Sequence, residues 1–136
     1  MSETIGFIGL GNMGLPMTEQ LLKAGHTVHA FDVTRAVLDK AADLGAVTAR
    51  SIADAADGAS VAVTMLPAGQ HVRTVYLEPG GLIETAAPGT LLIDCSTIDI
   101  DTSRAVGDAA VKAGLEMIDA PVTGGVMAAR VGKLNF

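Results

Sequence analysis

Three glycines at the spacing G-x-G-x-x-G, Gly9, Gly11 and Gly14, stand between a short apolar run, Ile5 to Ile8, and a segment with helical periodicity. That setting gives the spacing its chemistry. Gly9 lets the chain leave a strand in a tight turn, Gly11 lets a pyrophosphate approach the backbone, and Gly14 lets helix and strand pack closely. With Leu10, Asn12 and Met13 between them they form a candidate phosphate loop, whose free N–H groups open a helix where the dipole favours negative charge. Taken alone, the pattern equally describes a glycine-rich turn without a ligand, and the downstream sequence argues against that. Asp32 closes the next apolar run, Thr27 to Phe31, eighteen residues beyond Gly14. A dinucleotide fold places there the acid that holds the adenine ribose hydroxyls. A carboxylate accepts from both hydroxyls and repels a 2′-phosphate, so the expected cofactor is NAD rather than NADP. Arg35, close by, tempers the preference by offering a phosphate a cation.

Other reactive side chains are less pointed. His71 follows Leu66-Pro67 closely enough to reach a bound cofactor, and a solvated histidine at a helix start fits the same sequence. His26 and His29 read as surface or strand-face residues, and no metal-ligand spacing occurs. Ser96 has no assignable base and no nucleophile elbow, which leaves it strand-end hydrogen bonding. Asp94 and Asp119 each end an apolar run and organise the loop that follows, so paired-carboxylate chemistry is rejected. Cys95 is the only cysteine and sits in the run Leu91 to Cys95, as a buried structural thiol would.

The elements that must position these groups alternate along the chain. Strands are expected over Thr4–Ile8, Thr27–Phe31, Ala46–Thr48, Ser60–Leu66, Thr90–Asp94 and Leu115–Ile118. Between them, Met13, Met17, Leu21 and Ala24 mark one helix face, ended by Gly25, and a second helix runs from Arg35 to Leu44 and stops at Gly45. Ser51 to Asp54 has capping-box spacing for a small helix. Gln70–Leu77, with Val72 and Val75 inward, and a helix capped by Asp99 and reaching Ala113 complete the set. Six apolar runs separated by helices amount to a doubly wound parallel sheet, an α/β fold with its ligand crevice at the carboxyl ends of the strands.

Composition narrows the function. The apolar share of 49% against 18% charged residues fits a folded core, and a net charge of −6 with no basic tract speaks against a nucleic-acid partner. No stretch reaches the length of a membrane span and no secretory leader is present, so a cytoplasmic protein with no membrane partner is expected.

Four blocks carry a resemblance: Gly6 to Gly14 with Pro16-Met17, then Thr64-Met65-Leu66-Pro67, then Leu92 to Asp99, then Asp119-Ala120-Pro121-Val122-Thr123-Gly124-Gly125-Val126. In this order they resemble the β-hydroxyacid dehydrogenases, in particular the 3-hydroxyisobutyrate dehydrogenase and tartronate semialdehyde reductase group. The resemblance implies hydride transfer between a nicotinamide cofactor and a small β-hydroxy acid. It implies that Leu66-Pro67 lines the cofactor, that Thr97, following Ser96, sits by the nicotinamide, and that Thr123, Gly124 and Gly125 cradle the substrate carboxylate. Two glycines after a hydroxyl let N–H groups converge on an anion, and Thr123 keeps the hydroxyl where the family usually has serine. The family's catalytic lysine stands in a G-x-x-G-x-G-x-x-x-K setting that none of Lys23, Lys40, Lys112 or Lys133 has. Residues 1–136 are therefore expected to be the cofactor domain, cut near its end, with the lysine beyond Phe136 and the helical domain absent. Gly132 to Phe136 reads as the opening of another strand, whose open edge favours self-association. A dinucleotide-binding module without catalysis, and an interaction protein that keeps the fold, remain as alternatives.

Overall fold

Strand β1 (Thr4–Ile8) is apolar on both faces because helices cover both, and every later strand is laid parallel to it. The computed structural model describes all 136 residues. Helix α1 (Gly14–Lys23) leads to β2 (Thr27–Phe31), and α2 (Arg35–Asp43) leads to the short β3 (Val47–Thr48). The chain then crosses the sheet through α3 (Ile52–Ala56) to β4 (Val61–Thr64). Helices α4 (Gly69–Leu77) and α5 (Leu82–Thr85) precede β5 (Leu91–Asp94), α6 (Ile100–Lys112) precedes β6 (Glu116–Asp119), and α7 (Gly125–Arg130) follows. The strand order is β3-β2-β1-β4-β5-β6, as expected of a doubly wound sheet that reverses direction between β1 and β4. No helix is long and apolar enough to cross a membrane.

Register levels the strand ends. Ile8 lies opposite both Phe31 and Thr64, Thr64 opposite Asp94, and Asp94 opposite Asp119. All strands but the short β3 therefore release the chain at the same height, and Gly9, Asp32, Met65 and Cys95 follow side by side. The period of two sorts the strand residues into two cores. Ile5, Phe7, Val28, Ala30, Val63 and Cys95 face α1 and α2, with Met17 and Ala41 packed over them. Ile8, Ala62 and Leu92 face the other way, under Val72, Tyr76, Val106 and Ala110 from α4 and α6.

Local signals place most of the helix ends. Gly25 and Gly45, with φ of +92° and +105°, terminate α1 and α2. Asp99 caps α6 by accepting from the Thr102 N–H at 2.9 Å. Ser51 caps α3 by accepting from the Asp54 N–H at 3.0 Å, while the Asp54 carboxylate reaches back past the cap to the N–H of Arg50 at 2.8 Å. Three features depart from expectation. Helices α5 and α7 have no counterpart among the expected elements, and α5 is a single turn after a glycine pair. The tail from Gly132 is not a sheet strand. Gly124 and Gly125, at φ +125° and +69°, turn the chain into α7, which folds back on α1 and buries Ala129. The tail then meets Thr123 in an isolated antiparallel bridge, with reciprocal N–H···O bonds of 2.9 and 3.0 Å between Thr123 and Asn135. Edge strand β6 is left with Ile118 48% exposed, and Met127, Val131 and Phe136 are exposed nearby in sequence.

Close packing of α1 against β1 yields a test. A methyl group on Gly14 would overlap the carbonyl oxygen of Gly9, which is backbone and has no rotamer to move. Gly14→Ala should therefore lose at least about 2 kcal/mol in urea denaturation, the cost of forced overpacking. An unchanged denaturation midpoint would contradict this packing.

Candidate cofactor site

Gly9 leaves β1 at φ +100° and donates its N–H to the Phe31 carbonyl at 3.0 Å. Leu10, fully buried, plugs the loop into the core beneath it. Gly11 and Asn12 then stand exposed, and Met13 is the N-cap residue of α1 without any side-chain cap bond. No acidic residue occupies the first turn of α1, so neither a cap nor a carboxylate competes for its amides. Such a helix end is suited to an anion. Around Gly11 an added methyl would meet nothing within 4 Å, in contrast to Gly9 and Gly14, where it would collide with backbone. The loop is thus tight where it packs and open where a pyrophosphate would approach.

Asp32, half-buried at the end of β2, has two roles in one carboxylate. Its Oδ2 accepts from the Leu10 N–H and its Oδ1 from the Thr34 N–H, each at 2.8 Å. It therefore braces the glycine loop from the neighbouring strand. Each carboxylate oxygen has a second lone pair, so capacity remains for ribose hydroxyls. Arg35 is solvent-exposed and engaged with Asp39 at 3.1 Å.

These groups open on one cavity of about 680 Å³, within the usual size of a small-molecule pocket. Of the residues expected from sequence, Gly9, Gly11, Asn12, Met13, Gly14, Asp32, Leu66, Pro67 and His71 line it. Leu10 lies beneath it and Ser96, Thr97 and Thr123 to Gly125 are outside its lining. The sequence reading missed Ile52 from α3 and Thr74 and Val75 from α4. A signal existed for the latter two, because positions 74 and 75 share a helix face with His71.

Ser96 is buried at 1% exposure, and its Oγ accepts from the Leu66 N–H at 2.8 Å. Its own N–H donates to Asp94 Oδ1 at 3.1 Å. The same oxygen accepts from the Thr64 hydroxyl at 2.8 Å, and Thr64 Oγ1 lies 2.8 Å from the Tyr76 hydroxyl. Asp94 Oδ2 is buried without a partner. Burial pushes the Asp94 carboxyl up from its ordinary value, against the pull of the Ser96 and Thr64 hydrogen bonds. Burial likewise pushes the Tyr76 phenol up, and the Cys95 thiol up to about 11, which makes that thiol unreactive. Thr97 is exposed directly after Ser96. Beyond β6, Thr123 is held by its bridge to Asn135, and Gln20 ties α7 to α1 by donating to the Arg130 carbonyl at 2.7 Å.

Known proteins match this arrangement. A family model described as the NAD binding domain of 6-phosphogluconate dehydrogenase matches residues 4–136. The NAD-dependent L-serine dehydrogenase of Pseudomonas aeruginosa is 48% identical over 134 residues, which are 98% of this chain and 45% of that protein. The 3-hydroxyisobutyrate dehydrogenase of the same organism is 50% identical over 132 residues, 97% of this chain and 44% of that protein. The solved structure of Mycobacterium tuberculosis 3-hydroxyisobutyrate dehydrogenase with L-serine superimposes with a TM-score of 0.93 at 42% identity, over 98% of this chain and 45% of that one. The chain spans a little under half the length of these relatives.

The buried acid gives a prediction in pH. Because the folded state raises the Asp94 carboxyl, it holds the proton more firmly than the unfolded chain does. Stability from this group is complete below the unfolded carboxylate value and falls as pH rises through the folded one. Asp94→Asn keeps the acceptor oxygen and cannot ionise. Its stability relative to the parent should therefore improve between pH 4 and pH 8 in denaturant titrations. A difference that stays constant, or moves the other way, would show that Asp94 is not penalised by burial.

Proposed function

The chain belongs to the family of NAD-binding domains described for 6-phosphogluconate dehydrogenase, and from that premise we propose that residues 1–136 are the cofactor domain of an oxidoreductase acting on a small hydroxy acid. The substrate class is of the 3-hydroxyisobutyrate or L-serine kind named for its relatives. The observation that carries the reading is the convergence, in one cavity, of the uncapped start of α1, the open face of Gly11 and the Asp32 carboxylate. NAD bound there supplies the hydride acceptor.

In this reading the amides of Gly11, Asn12 and Met13 hold the pyrophosphate, while Gly9, Leu10 and Gly14 shape the loop. Asp32 accepts from the adenine ribose, and Leu66, Pro67 and His71 form the facing wall. Thr97 serves the nicotinamide end, and Thr123, Gly124 and Gly125 receive the substrate carboxylate. Ser96 serves the cofactor from behind, through the Leu66 amide. No lysine lines the cavity, and none of the four lysines stands in the family's G-x-x-G-x-G-x-x-x-K setting, so in this reading the lysine that would move the hydroxyl proton is assigned outside these residues. A cytoplasmic location belongs to the same proposal. Self-association is supported by the uncovered Ile118 on an edge strand and by the exposed Met127, Val131 and Phe136.

Three measurements test the reading. In calorimetric titration NAD should bind at least about tenfold more tightly than NADP, a difference of about 1.4 kcal/mol, and Asp32→Asn should narrow the gap. Gly11→Ala should leave stability within about 0.5 kcal/mol, since its methyl meets nothing, yet weaken NAD binding sharply. Tighter NADP binding would overturn the cofactor assignment, and undiminished binding by Gly11→Ala would remove the pyrophosphate from this loop. Light scattering over a concentration series should show the particle mass rising with concentration, and a constant monomer mass would end the self-association proposal.

A further inference from the structure

The wall of the cavity formed by Leu66 and α4 is held from behind by a chain of buried hydrogen bonds. At one end is Leu66, whose N–H donates to Ser96 Oγ at 2.8 Å. Ser96 N–H donates to Asp94 Oδ1, and the Thr64 hydroxyl donates to the same oxygen. With the Thr64 hydrogen committed to Asp94, the 2.8 Å contact between Thr64 Oγ1 and Tyr76 must be a donation from the phenol. At the other end is therefore α4, which buries Val72, Val75 and Tyr76 and turns His71 and Thr74 to the cavity. Thr64, Tyr76, Asp94 and Ser96 are all 1% exposed or less. None of these four lines the cavity.

Such a chain is not the cheapest filling for that space. Apolar side chains of similar volume would need no desolvation, and a buried network with one unsatisfied member is less stable than an apolar core. Asp94 Oδ2 is such a member. Directional bonds do what apolar packing does not: they fix the Leu66 amide and the axis of α4 relative to one another through a single shared oxygen. Among these hydrogen bonds, only those to Asp94 Oδ1 join the two arms.

We propose that Asp94 is a positioning residue for the dinucleotide, setting the Leu66 lip through Ser96 and the His71–Thr74 face of α4 through Thr64 and Tyr76. This rests on the reading of the cavity as the NAD site. It assigns Ser96 the same indirect role.

The test is NAD titration of the 136-residue chain and its variants, with denaturant stability measured alongside. Ser96→Ala should raise the dissociation constant about tenfold and Asp94→Ala by more than that, and the double variant should match Asp94→Ala rather than multiply the two effects, because the Ser96 arm is one of the two that Asp94 joins. Asp94→Asn keeps the shared acceptor and should bind within about threefold of the parent. Leu115→Ala, a buried residue remote from the cavity lining, should lose stability and keep its affinity. Multiplying effects in the double variant would overturn the proposal. So would an Asn variant as weak as Asp94→Ala, or affinities that simply follow stability across the set. If Asp94→Ala does not fold, unchanged affinity in Ser96→Ala has the same force. A parent chain that fails to bind NAD removes the underlying reading and this one together, whereas a binding parent with unresponsive variants removes this one alone.

Discussion

No side chain can stand between the Gly9 carbonyl and the first residue of α1, nor between Gly9 and the Met65 carbonyl on the far side. These two absences of a Cβ let β1, α1 and the end of β4 share one small volume at the point where the sheet reverses direction. Everything at the site inherits its geometry from that contact. The start of α1 is brought over the strand ends, Leu10 is driven into the core as a peg, and its amide comes within reach of Asp32 on the next strand. Were α1 to stand even a methyl group further out, the loop would lose its peg and the helix amides would face away from the crevice.

Around that contact the two sheet faces do different work. The α1 and α2 face is apolar from Ile5 to Cys95, and its one buried polar departure on α1 is the Thr18 hydroxyl, which has no partner. The opposite face mixes apolar Ile8, Ala62 and Leu92 with buried polar groups: Thr90, just before β5, donates to the Ala59 carbonyl at 3.1 Å, and Thr64 and Asp94 sit opposite one another at the carboxyl ends.

What was legible in the sequence was what is local. The glycine spacing, the level of Asp32, the caps at Ser51 and Asp99 and the glycine stops at Gly25 and Gly45 each depend on residues a few positions apart, and each is where the sequence placed it. The doubly wound order was readable because alternating apolar runs and helices admit few parallel topologies. What was not legible depends on register and docking. That Ser96 turns inward to Leu66 requires β4 and β5 to be aligned, and that Tyr76 is buried requires α4 to be docked on β4. Seen in the sequence, Tyr76 is an ordinary residue one position beyond a valine. The fold of α7 back on α1 was hidden for the same reason, because Gly124 and Gly125 announce a turn but not its direction.

Tyr76 has one more consequence. The chain contains no tryptophan and only one tyrosine. Its ultraviolet emission therefore originates from a single phenol, fully buried and hydrogen-bonded to Thr64 behind the cavity wall. Light absorbed by any other aromatic side chain comes from phenylalanine alone, which absorbs weakly and at shorter wavelength. The protein carries its own optical reporter, placed by the fold where α4 meets the sheet and needing no label to watch that joint.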